Sequence, residues 1–70
     1  MTLKSARVNA GLTMKEASNL IGVHHQTISK YEKDSSDIPL SLLHRMSEIY
    51  RMPIDNIFLG IEYEKNSTYE

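Results

Sequence analysis

The side chains best suited to recognition chemistry lie in one short stretch of the first half of the chain. The amide of Gln26 can form two hydrogen bonds with an adenine edge, and the ammonium of Lys30 can donate to O6 and N7 of guanine. His25 could bond a base edge or a phosphate oxygen. In a helix, Ile28 and Tyr31 would face inward and leave these three side chains exposed. The pattern predicts base reading, although an exposed polar helix face is also commonly just solvated.

No comparable arrangement supports catalysis or metal binding. His24 and His25 are adjacent and would point to different sides of a helix, and His44 is distant in sequence. No cysteine is present, and no carboxylate joins the histidines at ligand spacing. The sequence also contains neither a glycine-rich phosphate loop nor a nucleophile elbow. We therefore expect no catalytic residue, no metal site and no cofactor, and a protein that is not an enzyme.

The composition limits the chain to one small domain. With 70 residues and no cysteine, it has room for one modest apolar core and no disulfide framework. No apolar run suits a signal peptide or a membrane span, so we expect a cytoplasmic protein without a membrane partner. The net charge is −1, but residues 1–33 carry five basic and two acidic side chains, whereas residues 34–70 carry three and seven. This polarity favours an anionic partner for the first half, although clustering on solvated helix faces would give the same pattern.

The apolar spacing and the helix-terminating residues predict an all-α fold of five short helices. Thr13 and Glu16 form a capping box at the start of the second helix, and Gly22 ends it. Pro39 can occupy the first turn of the fourth helix, and Pro53 separates the fourth from the fifth. The predicted helices are Leu3–Asn9, Met14–Ile21, His25–Lys33, 40–51 and a short one from Ile54 to near Gly60. The apolar residues predicted to face inward are Ala17, Leu20, Ile21, Ile28, Tyr31, Leu40, Leu43, Met46, Ile49, Tyr50, Ile54, Ile57 and Phe58.

The second and third predicted helices are joined by only about three residues, which suits the angled pair of a helix-turn-helix. Ser18 offers a small side chain where the two helices approach, and Gly22 releases the backbone for the turn. Residues that match a known pattern are Leu3, Arg7, Gly11-Leu12-Thr13, Glu16, Gly22-Val23, Thr27-Ile28-Ser29, Glu32 and 52–58. Over residues 3–59 the chain thus resembles the phage repressor and Cro type of helix-turn-helix domain, the XRE family.

The resemblance implies a compact five-helix, lambda-repressor-like domain that binds double-stranded DNA with its third helix in the major groove. It assigns base reading to the exposed residues of the third helix already identified. Contacts to the DNA backbone are expected at the start of the second helix, where free N–H groups and the helix dipole attract a phosphate. The residues expected to contact the backbone are Met14, Lys15, Thr27, Ser29 and Lys33.

The resemblance also implies a structural ion pair between Arg7 in the first helix and Glu32 near the end of the third. We expect this pair to be partly buried and to orient the third helix. The sequence departs from the family pattern at four positions. Met14 stands where glutamine is usual, Ala17 where leucine is usual, and Ser18 where alanine is usual. His24 stands where the family has a serine or threonine cap.

The expected function is transcription regulation, specifically repression, by a homodimer on a palindromic operator, because one small module rarely gives enough affinity. Candidate dimer contacts are Ile54, Phe58, Ile61 and Tyr63, unless Ile54 and Phe58 only close the core. Residues 1–60 would form the DNA-binding domain, and residues 61–70 a flexible acidic tail. The near-neutral charge leaves a second function open, a protein-interaction module of antitoxin or antirepressor type on the same fold.

Overall fold

The computed structural model describes residues 1–60, which form four α-helices and one 3-10 turn. The helices are α1 (Leu3–Asn9), α2 (Met14–Ile21), α3 (His25–Lys33) and α4 (Leu40–Tyr50), and the 3-10 turn is Ile54–Asn56. The predicted bounds of the first three helices are confirmed, and α4 ends one residue earlier than predicted. No helix in residues 1–60 is long and apolar enough to cross a membrane.

The predicted fifth α-helix from Ile54 to near Gly60 is wrong. After Pro53 the chain makes a single 3-10 turn and then becomes extended. The N–H of Phe58 donates to the carbonyl of Met1 at 2.6 Å, and the amino group of Met1 donates to the carbonyl of Asn56 at 2.9 Å. Backbone groups that would have extended the helix therefore bond to the start of the chain instead.

Side-chain caps determine where α1 and α2 begin. At α2, Oγ1 of Thr13 accepts from the Glu16 N–H at 3.0 Å, and the Glu16 carboxylate accepts from the Thr13 N–H at 2.8 Å. This is the predicted capping box. A second box, formed by Thr2 and Ser5, begins α1 and was not identified from the sequence. Gly22 ends α2 with a φ of 89°, in the left-handed region that glycine adopts without steric cost.

The ends of α4 differ in detail from the prediction. Pro39 is the residue before the helix and not a member of its first turn. Tyr50 is the last helical residue, and Arg51 has a φ of 56° in the left-handed region. A side chain with a Cβ is strained in this conformation by about 1 kcal/mol.

The core collects side chains from all four helices and from the segment after the 3-10 turn. Its fully buried apolar members are Leu3, Ala6, Ala17, Ile21, Ile28, Leu43, Met46, Tyr50 and Ile57. Three other predicted core residues are partly buried against this cluster, and they are Tyr31, Ile49 and Ile54.

Three residues predicted to face inward are mostly exposed, namely Leu20 (59%), Leu40 (64%) and Phe58 (55%). In α2 the buried face is shared by Ala17, Ile21 and the small Ser18, and at about 100° of rotation per residue this face points away from Leu20. Leu40 is the first residue of α4, so no preceding turn of that helix shields it. Phe58 does not close the core, because the backbone there pairs with the start of the chain.

The loop between α3 and α4 binds the last described residue. The Ser35 N–H donates to the Gly60 carbonyl at 2.9 Å, and the Gly60 N–H donates to Oγ of Ser35 at 2.8 Å. Ser35 is buried although it lies in a polar loop. The segment after the 3-10 turn is thereby attached at both ends, to Met1 ahead of α1 through Phe58 and to this loop through Gly60.

Candidate nucleic-acid interface

The helices α2 and α3 form a closely packed pair around a short turn. Ala17 and Ser18 are the small buried residues on the α2 side of the contact, and Ile28 is the fully buried residue on the α3 side. The N–H groups of Gly22 and Val23 both donate to the carbonyl of Ser18, at 2.8 and 3.2 Å. These bonds close α2 and turn the chain into α3 within three residues, as the angled helix pair of a helix-turn-helix requires.

An imidazole caps the start of α3. Nδ1 of His24 accepts a hydrogen bond from the backbone N–H of Gln26 at 3.1 Å. The ring of His25 lies against that of His24, with centroids 4.3 Å apart. His24 therefore fills, through Nδ1, the capping role for which a serine or threonine is usual.

One face of α3 is buried and the other is exposed. Ile28 and Glu32 are buried, and Tyr31 is half-buried. The side chains on the opposite face are exposed, apart from the partly exposed Thr27 and Ser29, and this face comprises His25, Gln26, Thr27, Ser29, Lys30 and Lys33. The three residues predicted to read bases thus lie on one exposed surface of the helix. We call this surface the α3 outer face.

Lys30 has a partner within its own helix. Its Nζ lies 5.0 Å from the centroid of the Tyr31 ring, within range of a cation–π contact. At this exposed site such a contact contributes about 0.5 kcal/mol or slightly more. The ammonium can therefore leave the ring at little cost when a stronger acceptor is offered.

The start of α2 offers backbone donors and little side-chain chemistry. Within residues 1–60, the N–H groups of Met14 and Lys15 have no hydrogen-bond acceptor. The Met14 side chain is partly buried against the core, whereas Lys15 is exposed. Met14 thus has only its amide to offer, and Lys15 has both an amide and a charge.

The ion pair expected between Arg7 and Glu32 is present in the structure. Nε of Arg7 donates to Oε2 of Glu32 at 2.6 Å, and Nη2 donates to Oε1 at 3.2 Å. Nη1 donates to the carbonyl of Leu12 at 2.9 Å, in the segment before α2. Both charged side chains are buried. The hydrogen bond with Glu32 raises the pKa of Arg7 above its usual value, so the guanidinium stays charged.

Tyr50 lies close to this ion pair. Burial raises the pKa of its phenol to about 12, with a further contribution from the negative charge of Glu32. Its Oη is buried and has no hydrogen-bond partner among the described residues. Among residues 1–60, no three side chains of histidine, aspartate or glutamate are grouped closely enough to hold a metal ion.

Comparison with known proteins agrees with this geometry. Residues 3–57 match the family described as Helix-turn-helix (HTH_3). The chain belongs to this helix-turn-helix family. It is similar to the HTH-type transcriptional regulator ImmR of Bacillus subtilis (strain 168), with 32% identity over 65 residues. The match covers 93% of this chain and 51% of the relative, so the chain spans about half the length of the curated relative it matches.

One contact at the turn of this helix-turn-helix domain was missed by the sequence analysis. Nη1 of Arg45, on α4, donates to the carbonyl of Ile21 at 2.6 Å. A Cβ added at Gly22 would lie 3.5 Å from the same nitrogen. The partners of this hydrogen bond are 24 residues apart, and no local pattern in the sequence signals it.

The four residues predicted to form a dimer contact are only partly covered by the structure. Ile54 is partly buried against the core, and Phe58 is 55% exposed. Ile61 and Tyr63 lie outside the described residues. Met1 and Leu59 are also exposed next to Phe58 in the paired segments, so the described part of this region presents several apolar side chains to solvent.

Proposed function

We propose that this chain binds double-stranded DNA at specific sequences and thereby regulates transcription as a repressor. The observation that carries the proposal is the α3 outer face, an exposed surface of hydrogen-bonding and basic side chains on the second helix of a helix-turn-helix. A major groove about 12 Å wide accepts a helix of this kind, and side chains near its amino-terminal end then reach the base edges. Family membership and the name of the regulator from Bacillus subtilis support the same function.

The side chains of the α3 outer face divide into two roles. Gln26 forms two hydrogen bonds with adenine, and Lys30 leaves the Tyr31 ring to donate to guanine. His25 precedes them at the end of the helix that enters the groove first, where it contacts a base edge or a phosphate. Lys33 lies one turn beyond the base-reading residues and suits a phosphate oxygen.

Further contacts to the DNA backbone come from the rest of the helix-turn-helix. The free amides of Met14 and Lys15 bind a phosphate at the start of α2, assisted by the helix dipole. Thr27 and Ser29, the partly exposed members of the α3 outer face, donate hydroxyl hydrogen bonds to the same strand. These contacts fix the register of α3 in the groove and carry no base preference of their own.

The protein acts as a homodimer on a palindromic site. Two copies related by a two-fold axis place their α3 helices about 34 to 36 Å apart, which matches one turn of DNA. The exposed Phe58, together with Ile54, Ile61 and Tyr63, provides the contact. Phe58→Asp is expected to weaken binding to a full palindrome while leaving binding to an isolated half-site unchanged. An equal loss of affinity for both sites would show that Phe58 is not part of the dimer contact.

The proposal is tested by selecting binding sites from a genomic fragment library at two salt concentrations and footprinting the enriched fragments. Enrichment of a palindrome, with affinity that falls steeply as salt rises, is the expected result. Binding without enrichment of any sequence at either salt concentration would contradict sequence-specific regulation.

A second function, a protein-interaction module of antitoxin or antirepressor type, is favoured by one observation. The Met14 side chain packs toward the core where a polar side chain would contact a phosphate, which weakens one expected contact to DNA. In this alternative, substitutions at Gln26 and Lys30 leave the biological activity intact, whereas substitutions in the acidic residues after position 33 abolish it. Affinity capture with the intact chain would then identify a protein, and the library would yield no site.

A further inference from the structure

The position of α3 depends on contacts at both of its ends. Near its carboxyl end, Glu32 is bound by Arg7 from α1. At its amino end, α3 packs against α2 and is joined to it by the short turn. An open cleft of about 280 Å³ lined by Val23, Leu42 and Arg45, among others, separates this turn from the start of α4. On the side that faces this cleft, the start of α4 therefore does not pack closely on the turn.

Arg45 spans this gap with a hydrogen bond. Its Nη1 donates to the carbonyl of Ile21, the last residue of α2, at 2.6 Å. The carbonyls at a helix carboxyl end lack partners within the helix, and they carry the negative end of the helix dipole. A guanidinium gives such a carbonyl a hydrogen-bond donor and places a positive charge at the negative end of the dipole, through one charge-assisted hydrogen bond. The same nitrogen lies beside Gly22, so the contact is made at the turn itself.

We propose that Arg45 is a positioning residue for DNA recognition, which fixes the turn and hence the amino-terminal end of α3. This inference rests on the proposed function. Gln26 lies in the first turn of α3 and Lys30 one turn further on, and bidentate base contacts tolerate displacements of only about 0.5 Å. Arg45 thus acts on the base-reading end of the helix, whereas the Arg7–Glu32 pair acts on the other end.

The proposal predicts a loss of selectivity that charge removal alone does not cause. Arg45→Met removes the donor and keeps the aliphatic stem. Lys4→Met is the matched control, because Lys4 is an exposed cation in α1 with no hydrogen bond among the described residues. Both variants lose one positive charge and bind non-specific DNA somewhat more weakly. Only Arg45→Met is expected to lower the ratio of specific to non-specific affinity, by about tenfold, the size of one impaired base-pair contact. Arg45→Lys, which can still donate to Ile21, restores most of that ratio.

A second measurement needs no DNA. The amides of Gly22 and Val23 both donate to the Ser18 carbonyl, and their hydrogen exchange reports how often the turn opens. In Arg45→Met these two amides are expected to exchange about tenfold faster, while amides in the middle of α4 exchange at the rate expected from global stability. Lys4→Met leaves the two turn amides unchanged.

The two measurements separate this inference from the proposed function. Unchanged exchange at Gly22 and Val23 in Arg45→Met would overturn the positioning role. An unchanged affinity ratio, in a wild-type protein that does select a sequence, would overturn it as well. If the wild-type protein selects no sequence, the proposed function fails and Arg45 has no role in recognition, whatever the exchange rates.

Discussion

At the scale of single residues, the buried polar groups around the ion pair differ in whether they have hydrogen-bond partners. Arg7 uses three nitrogens to bind Glu32 and the Leu12 carbonyl, so its charge is well compensated. Tyr50 lies beside them with a buried hydroxyl that has no partner among residues 1–60. A buried hydroxyl without a hydrogen bond costs roughly 1 kcal/mol or more. The phenol of Tyr50 therefore reduces stability, although its ring is part of the core.

Tyr50→Phe tests this conclusion. The variant is expected to unfold with a free energy up to about 1 kcal/mol higher than wild type at pH 7, because it keeps the ring and removes the unsatisfied group. The raised phenol pKa of about 12 adds a pH dependence. The unfolded tyrosine ionises near pH 10, before the folded one does. Ionisation of this group therefore leaves the wild-type free energy of unfolding unchanged below pH 10 and lowers it as the pH rises toward 12.

The measurement is urea unfolding of wild type and Tyr50→Phe from pH 7 to 12, with Tyr31→Phe as control because Tyr31 is only half-buried. The difference between Tyr50→Phe and wild type is expected to grow above pH 10. A constant difference across this range would show that the phenol ionises equally in the folded and unfolded chains.

At the scale of elements, the sequence predicted the ends of helices that are determined locally. The capping box of Thr13 and Glu16 and the glycine at position 22 act within a few residues, so the bounds of α2 followed from the sequence. The segment after Pro53 did not, because Phe58 bonds to Met1 at the other end of the described residues. Leu20 was misplaced because a buried serine rotates the inward face of α2, which an apolar pattern cannot indicate.

The pair of Arg7 and Glu32 connects α1 to α3, and its removal is expected to act on stability and on recognition separately. Arg7→Met leaves the Glu32 charge buried without its partner and should lower the free energy of unfolding by about 3 kcal/mol or more. The double variant Arg7→Met, Glu32→Met should recover most of this loss, since apolar replacements of a buried pair are often neutral.

Urea unfolding and affinity for the selected DNA site distinguish the two effects. If the pair orients α3, the double variant is stable but binds the site more weakly than wild type. Arg7→Met with full stability and full DNA affinity would contradict both the structural role and the orienting role.

The end of α4 contains strain that a glycine relieves. Arg51 adopts a φ of 56°, and glycine occupies this region without the clash that a Cβ creates. Arg51→Gly is expected to raise the free energy of unfolding by about 1 kcal/mol, measured by urea unfolding. Arg51→Ala keeps the Cβ and serves as control, with little or no gain. Equal stabilisation by both variants would attribute the effect to the lost charge instead.

At the scale of the whole molecule, charge separates the basic first half from the acidic second half, and the α3 outer face lies in the basic half. The sequence predicted this polarity and the residues of that face, because both follow from composition and helical periodicity. It could not predict the contact of Arg45 with Ile21 or that of Ser35 with Gly60, since each joins segments more than 20 residues apart. The exposed face of α3 could therefore be predicted from the sequence, whereas these long-range contacts could not.

The most direct test of DNA reading by α3 is the affinity of Gln26→Ala and Lys30→Ala for the selected site and for non-specific DNA, with Lys4→Ala as the charge-matched control for Lys30→Ala. Each of the two α3 variants is expected to lose about tenfold or more in specific affinity and to tolerate base changes at the position it reads. Lys4→Ala is expected to keep the specificity ratio of wild type. Wild-type specificity in both Gln26→Ala and Lys30→Ala would contradict the assignment of α3 as the helix that reads DNA.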